Sequence, residues 1–109
     1  MISFSGSLKI FLLVDCCDMR KGFNGLEGLV RDFLGEEPSS GSLFVFYGKR
    51  RDSVKIFYWH GDGFAIWSKR LQRGAFRFPR QASEIGVSVQ ISKTALRMLL
   101  QGLDLSVAA

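Results

Sequence analysis

The stretch LFVFYGKRRDSVKIFYWHGDGFAIWSKRL, Leu43 to Leu71, decides the fold. Three runs rich in β-branched and aromatic residues, Leu43–Tyr47, Val54–Trp59 and Phe64–Leu71, are parted by Gly48–Asp52 and by His60–Gly63. Such side chains pack well on a pleated surface, and Asp62-Gly63 is a strong signal for a tight hairpin. The pattern predicts three consecutive antiparallel strands, a meander. Alternation sets Val54, Ile56 and Tyr58 against Lys55, Phe57 and Trp59 in the middle strand. In the third strand it sets Phe64, Ile66 and Ser68 against Ala65, Trp67 and Lys69. Both faces carry aromatics, so one is expected to pack on a helix and the other to be covered by further chain, a partner subunit or a ligand.

Working outward, Leu8–Val14 is an apolar run too short for a helix and is read as a strand, followed by a polar loop over Asp15–Gly22. Leu26, Leu29, Val30, Phe33 and Leu34 then recur at spacings of three and four, the period of one buried helical face. Asn24 is the expected N-cap, with Glu27 placed for a capping box; Gly28 weakens the helix and Gly35 ends it. Beyond the meander, Ala75–Phe78 reads as an edge strand stopped by Pro79, and Val87–Ile91 as another short strand. Ser92 caps a second helix over Lys93–Leu100, with Ala95, Leu96, Leu99 and Leu100 on its apolar face and Gly102 at its end. The expected class is α+β: an antiparallel β-meander with one helix before it and one near the C-terminus, in a single domain spanning residues 1–109.

Composition narrows the function. Hydrophobic residues form 47% of the sequence, enough for a folded core. No apolar run approaches the roughly 18 residues of a membrane span, and no signal-peptide pattern is present, so a cytoplasmic protein without membrane contact is expected. Cys16 and Cys17 are the only cysteines, and adjacent residues rarely pair, which predicts free thiols in a reducing compartment. The net charge of +5 is uneven. Lys49, Arg50, Arg51, Lys55, Lys69, Arg70, Arg73, Arg77 and Arg80 crowd residues 47–80, opposed there only by Asp52 and Asp62. A concentrated positive field attracts a polyanion.

Catalytic patterns are weak. Asp15 and Asp18 lie near a strand end, but a metal-dependent nuclease needs a third ligand and a geometry that two nearby aspartates do not specify. His60 stands far in sequence from Cys16 and Cys17, without the paired spacings of a zinc site or a local partner for a thiol nucleophile. Gly22, Gly25 and Gly28 do not make a phosphate-loop fingerprint. No catalytic residue, metal or cofactor is assigned. The basic residues give the sharper signal. In a meander the turn after the first strand and the exit of the third lie at one end, so Lys49, Arg50 and Arg51 are expected to join Lys69, Arg70, Arg73, Arg77 and Arg80 in one nucleic-acid-binding rim. Trp59, Trp67 or Phe78 would add stacking surface if exposed. Arg20, Lys21, Phe57, Trp59 and Trp67 are the candidates for contact with a protein partner.

In order, Asp18–Leu26 (DMRKGFNGL), Ser40–Phe46 (SGSLFVF), Lys55–Trp59 (KIFYW), Asp62–Phe64 (DGF) and Lys69–Phe76 (KRLQRGAF) resemble the TnpB, or Orf2-like, accessory proteins of the IS66 family of insertion sequences. The resemblance spans about residues 8 to 105. Departures from its usual pattern fall at Cys16-Cys17, His60, Ser68 and Leu105. Proteins of that family are encoded beside a larger, separate transposase, so the resemblance implies a non-catalytic accessory of DNA transposition and transfers no catalytic residue. DNA and the cognate transposase are the expected partners, with a homodimer also possible. The rival readings are a protein-binding or homodimerising module that uses the apolar sheet face, and a small metal-dependent nuclease at Asp15 and Asp18.

Overall fold

The computed structural model describes residues 8–78 and 86–101. Its elements are β1 (Ile10–Leu13), α1 (Phe23–Gly28) running into a π-helical turn (Leu29–Phe33), β2 (Leu43–Tyr47), β3 (Ser53–Trp59), β4 (Phe64–Arg70), β5 (Ser88–Gln90) and α2 (Lys93–Leu100). The strands form one sheet in the order β4-β3-β2-β1-β5. The meander supplies three of its five strands, with Val45 opposite Ile56 and Ile56 opposite Trp67. β1 lies parallel to β2, with Phe11 beside Phe44, and antiparallel to β5. A parallel neighbour requires a long crossover, and the chain from Val14 to Ser42 supplies it through α1. The class is α+β, with a mostly antiparallel sheet and one helix on each side of the meander in sequence.

Aromatics on both faces of the strands are accounted for by the chain's own helices. On one face Leu26 and Val30 pack against Leu13, Phe44, Phe46 and Phe57. On the other, Leu96 and Leu99 of α2 cover Ile10, Leu12, Val45, Val54 and Ile56. Side chains that alternate along each strand therefore reach two separate cores, which is why β2 is buried at every position.

The helices depart from the sequence reading in one case and follow it in the other. Ser92 caps α2 by accepting a hydrogen bond from the Ala95 amide at 3.0 Å. Gly22, not Asn24, precedes α1, and no side chain caps it; Glu27 instead accepts from Arg31 at 2.9 Å, one turn further on. After Gly28 the bonding lengthens, with the Leu34 amide donating to the Leu29 carbonyl. Each turn then holds more residues, so the 3.6-residue period fails and Phe33, expected in the core, is about half exposed. The segment Ala75–Phe78 is likewise not a strand. Its Phe76 is buried, and the Phe76 amide donates to the Arg51 carbonyl at 2.7 Å. Among the described residues no helix is long and apolar enough to cross a membrane.

Candidate nucleic-acid interface

Strand directions bring the basic segments together. β1 and β2 both end at the edge of the sheet where β3 begins, and β4 returns to that edge. The loop after β1, the Gly48–Asp52 turn and the chain leaving β4 therefore meet there. Two backbone bonds clasp them: Leu71 donates to the Asp52 carbonyl at 2.8 Å, and Phe76 to that of Arg51. Arg51 closes the turn by donating its amide to Gly48 at 2.9 Å. It does so in the left-handed region, φ 61°, which aims its carbonyl at Phe76.

Tyr47 supports this end from below. Its buried ring stacks on Phe78 at 4.0 Å between centroids and lies under the Arg51 guanidinium, 5.7 Å away. Its hydroxyl donates to the Val14 carbonyl, while its own carbonyl accepts from the Cys17 amide at 2.9 Å. Burial pushes the phenol pKa up. Tyr47 thus joins the ends of β1 and β2 to the chain beyond β4. Met19 lies against Gly48, where an added Cβ would come within 2.7 Å of the Met19 Cγ.

Lys49, Arg50, Arg51, Arg70, Arg73 and Arg77 are all exposed around this framework. A depression of about 580 Å³ is lined by Lys49, Arg50 and Arg70 together with Asp18 and Asp52. A second, of about 380 Å³, is lined by Arg20, Lys55, Lys69 and Arg70, again with Asp18. The carboxylates temper the field without cancelling it. Asp18 is already engaged by Arg20, which donates to both its oxygens at 2.8–3.2 Å. Those bonds hold the Asp18 pKa down, to about 2.

The remaining residues singled out in the sequence differ in what holds them. Lys69 donates its Nζ to the Leu100 carbonyl at 3.0 Å, which ties its charge to the C-terminal end of α2. Arg80 lies outside the described residues. Arg20 is almost fully exposed beyond its contact with Asp18, and Lys21 is half-buried. Phe57 is fully buried beneath α1 and presents no surface, because the face on which it lies is covered by the chain's own helix. Trp67 packs against the core under α2. Trp59 stands at the opposite end of β3, edge-on to Phe64. Trp59 and Trp67 are both half-buried.

Tyr47, Phe78, Met19 and Lys55 are the residues that sequence reasoning missed in these roles. The Lys55 Nζ reaches over α1's end of the sheet to the Lys21 carbonyl, 2.9 Å away. A lone lysine among apolar strand residues was the available signal. Cys16 is exposed and Cys17 half-buried, both as free thiols, and burial is the main cause that pushes the Cys17 pKa up. Among the described residues no three His, Cys, Asp or Glu side chains converge on a common point.

The sequence from residue 8 to residue 109 matches the family described as IS66 Orf2 like protein. Two relatives come from Sinorhizobium fredii (strain NBRC 101917 / NGR234). "Uncharacterized protein y4jC" is 36% identical over 104 residues, which cover 95% of this chain and 86% of the relative. "Uncharacterized protein y4hO" is 34% identical over 104 residues, covering 95% and 88%. No solved structure matches the chain.

Proposed function

The chain belongs to the IS66 Orf2-like family, which makes it an accessory protein associated with transposition, and from that premise we propose that it acts by holding DNA on its basic rim beside the separate transposase. Reaction chemistry belongs to the transposase in this reading, and the accessory contributes binding and placement. One observation carries it: two basic segments about twenty residues apart in sequence are clasped by backbone bonds at one end of the sheet. The framework beneath them is rigid, because Tyr47 and Phe76 are buried. Cations held on a fixed base lose less freedom on meeting phosphates than cations on a loose tail.

Titration of the purified protein against DNA over a salt series tests the proposal. Released counterions make the logarithm of the binding constant fall with the logarithm of salt, by about 0.9 per phosphate neutralised on a duplex. Up to six cations predict a steep slope, and the pair Arg50→Gln with Arg73→Gln should flatten it by about 2. Binding indifferent to salt, or no binding at low ionic strength, would count against DNA as the partner.

A protein-contact reading retains support from another place. Phe23 and Phe33, at the two ends of the α1 segment, are each 52% exposed. The sheet faces themselves are covered by α1 and α2. Substituting both phenylalanines by serine should weaken co-purification with the transposase and spare DNA binding if that surface serves the partner.

A further inference from the structure

Building on the DNA-binding reading, we infer that the rim takes double-stranded DNA by its phosphates, in preference to single strands. Binding of single strands relies on exposed aromatic rings on which bases stack. Among the described residues the rim offers no fully exposed ring, and Phe78, half-buried against the core, is the nearest to one. Tyr47 and Phe76 are 3% and 2% exposed, and one face of Phe78 is taken by Tyr47. Trp67 belongs to the core under α2. Trp59 is six residues along β3 from Ser53, about 20 Å from the rim at the usual strand rise.

What the rim does offer is charge gathered on one edge. Lys49, Arg50, Arg70, Arg73 and Arg77 are exposed and have no ion pair among the described residues. The two backbone bonds hold the Gly48–Asp52 turn against the chain beyond β4, so the cations of both segments share one compact edge. A duplex also presents one charge per about 1.7 Å of axis against about 3.4 Å for one of its strands, so a compact cationic edge displaces more counterions from it. Guanidinium groups add a planar fork suited to phosphate oxygens.

The experiment uses the full chain with a short labelled duplex, each of its strands alone, and an oligothymidylate of equal length, over a salt series. The duplex should bind at least about tenfold more tightly than any single strand, with the steeper salt slope. Tryptophan fluorescence from Trp59 and Trp67 should be unchanged on saturation, since neither ring lies at the rim. Single strands that bind as tightly as the duplex, or that quench tryptophan and persist at high salt, would overturn the duplex assignment while leaving DNA binding intact. Failure of every probe to bind at low salt overturns the parent reading and this one with it. Arg50→Gln with Arg73→Gln, checked for unchanged circular dichroism, should lower duplex affinity most.

Discussion

Arg51 is the residue at which conformation and charge compete. Its φ of 61° is unfavourable for any side chain with a Cβ, by about 1–2 kcal/mol. Arg51→Gly removes that strain but returns about 0.5–1 kcal/mol of chain entropy to the unfolded state and loses the contact with Tyr47, worth about 0.5–1 kcal/mol. The opposing effects nearly cancel, so chemical denaturation should register a change below about 1 kcal/mol. The salt slope for DNA should nonetheless drop by about 1. A large loss of stability would instead make the arginine a structural residue. Asp18 gives a second test. Its folded pKa is depressed, so its stabilising contribution is present above the ordinary carboxylate value and is lost as pH falls toward about 2. Following the Asp18 carboxyl by NMR should find that low midpoint, and Arg20→Ala should move it only part of the way back up, because the amide of residue 20 still donates to the carboxylate. The basic candidates were legible as charges because no packing argument was needed. That Lys69 caps a helix and Phe57 is enclosed depended on contacts between distant segments, which no local pattern encodes.

Between elements, the loop after β1 is fixed to the β2–β3 turn by the Met19–Gly48 contact. Gly48→Ala would place a methyl group 2.7 Å from the Met19 Cγ, so the Met19 side chain must move. Overpacking of this kind typically costs about 1–3 kcal/mol, and the substitution should fall in that range on thermal or chemical unfolding. In a Met19→Ala background the same change should cost much less, because the obstructing side chain is gone. Equal costs in both backgrounds would show that the two residues are not coupled. The meander was legible because a two-residue period is interrupted by glycine turns, and α2 because Ser92 and its apolar stripe agree. β1's place was not. Pairing across a crossover leaves no signature in either strand, and Phe33 followed a helical period that the π-helical turn then broke.

Viewed along the strands, the molecule is electrically polar. Glu36 and Glu37 precede β2 and Asp62 lies in the β3–β4 turn, all at the end opposite the rim. Lys9 stands at that far end, its carbonyl accepting from the Leu43 amide, and Lys93 opens α2 there, just after Ile91 donates to Ile10. Net charge alone would treat these two lysines and the rim arginines as equivalent. Position separates them: the described fold extends about 30 Å, several times the Debye length of about 8 Å at physiological salt. A phosphate docked at the rim is therefore screened from Lys9 and Lys93 but not from Arg50 and Arg73. Two double variants that remove the same charge should consequently diverge. Lys9→Gln with Lys93→Gln should change duplex affinity by less than about twofold, whereas Arg50→Gln with Arg73→Gln should reduce it by at least about tenfold at moderate salt. Similar losses from both pairs would mean that total charge, and not the clasp between Arg51 and Phe76, is what draws the protein to DNA.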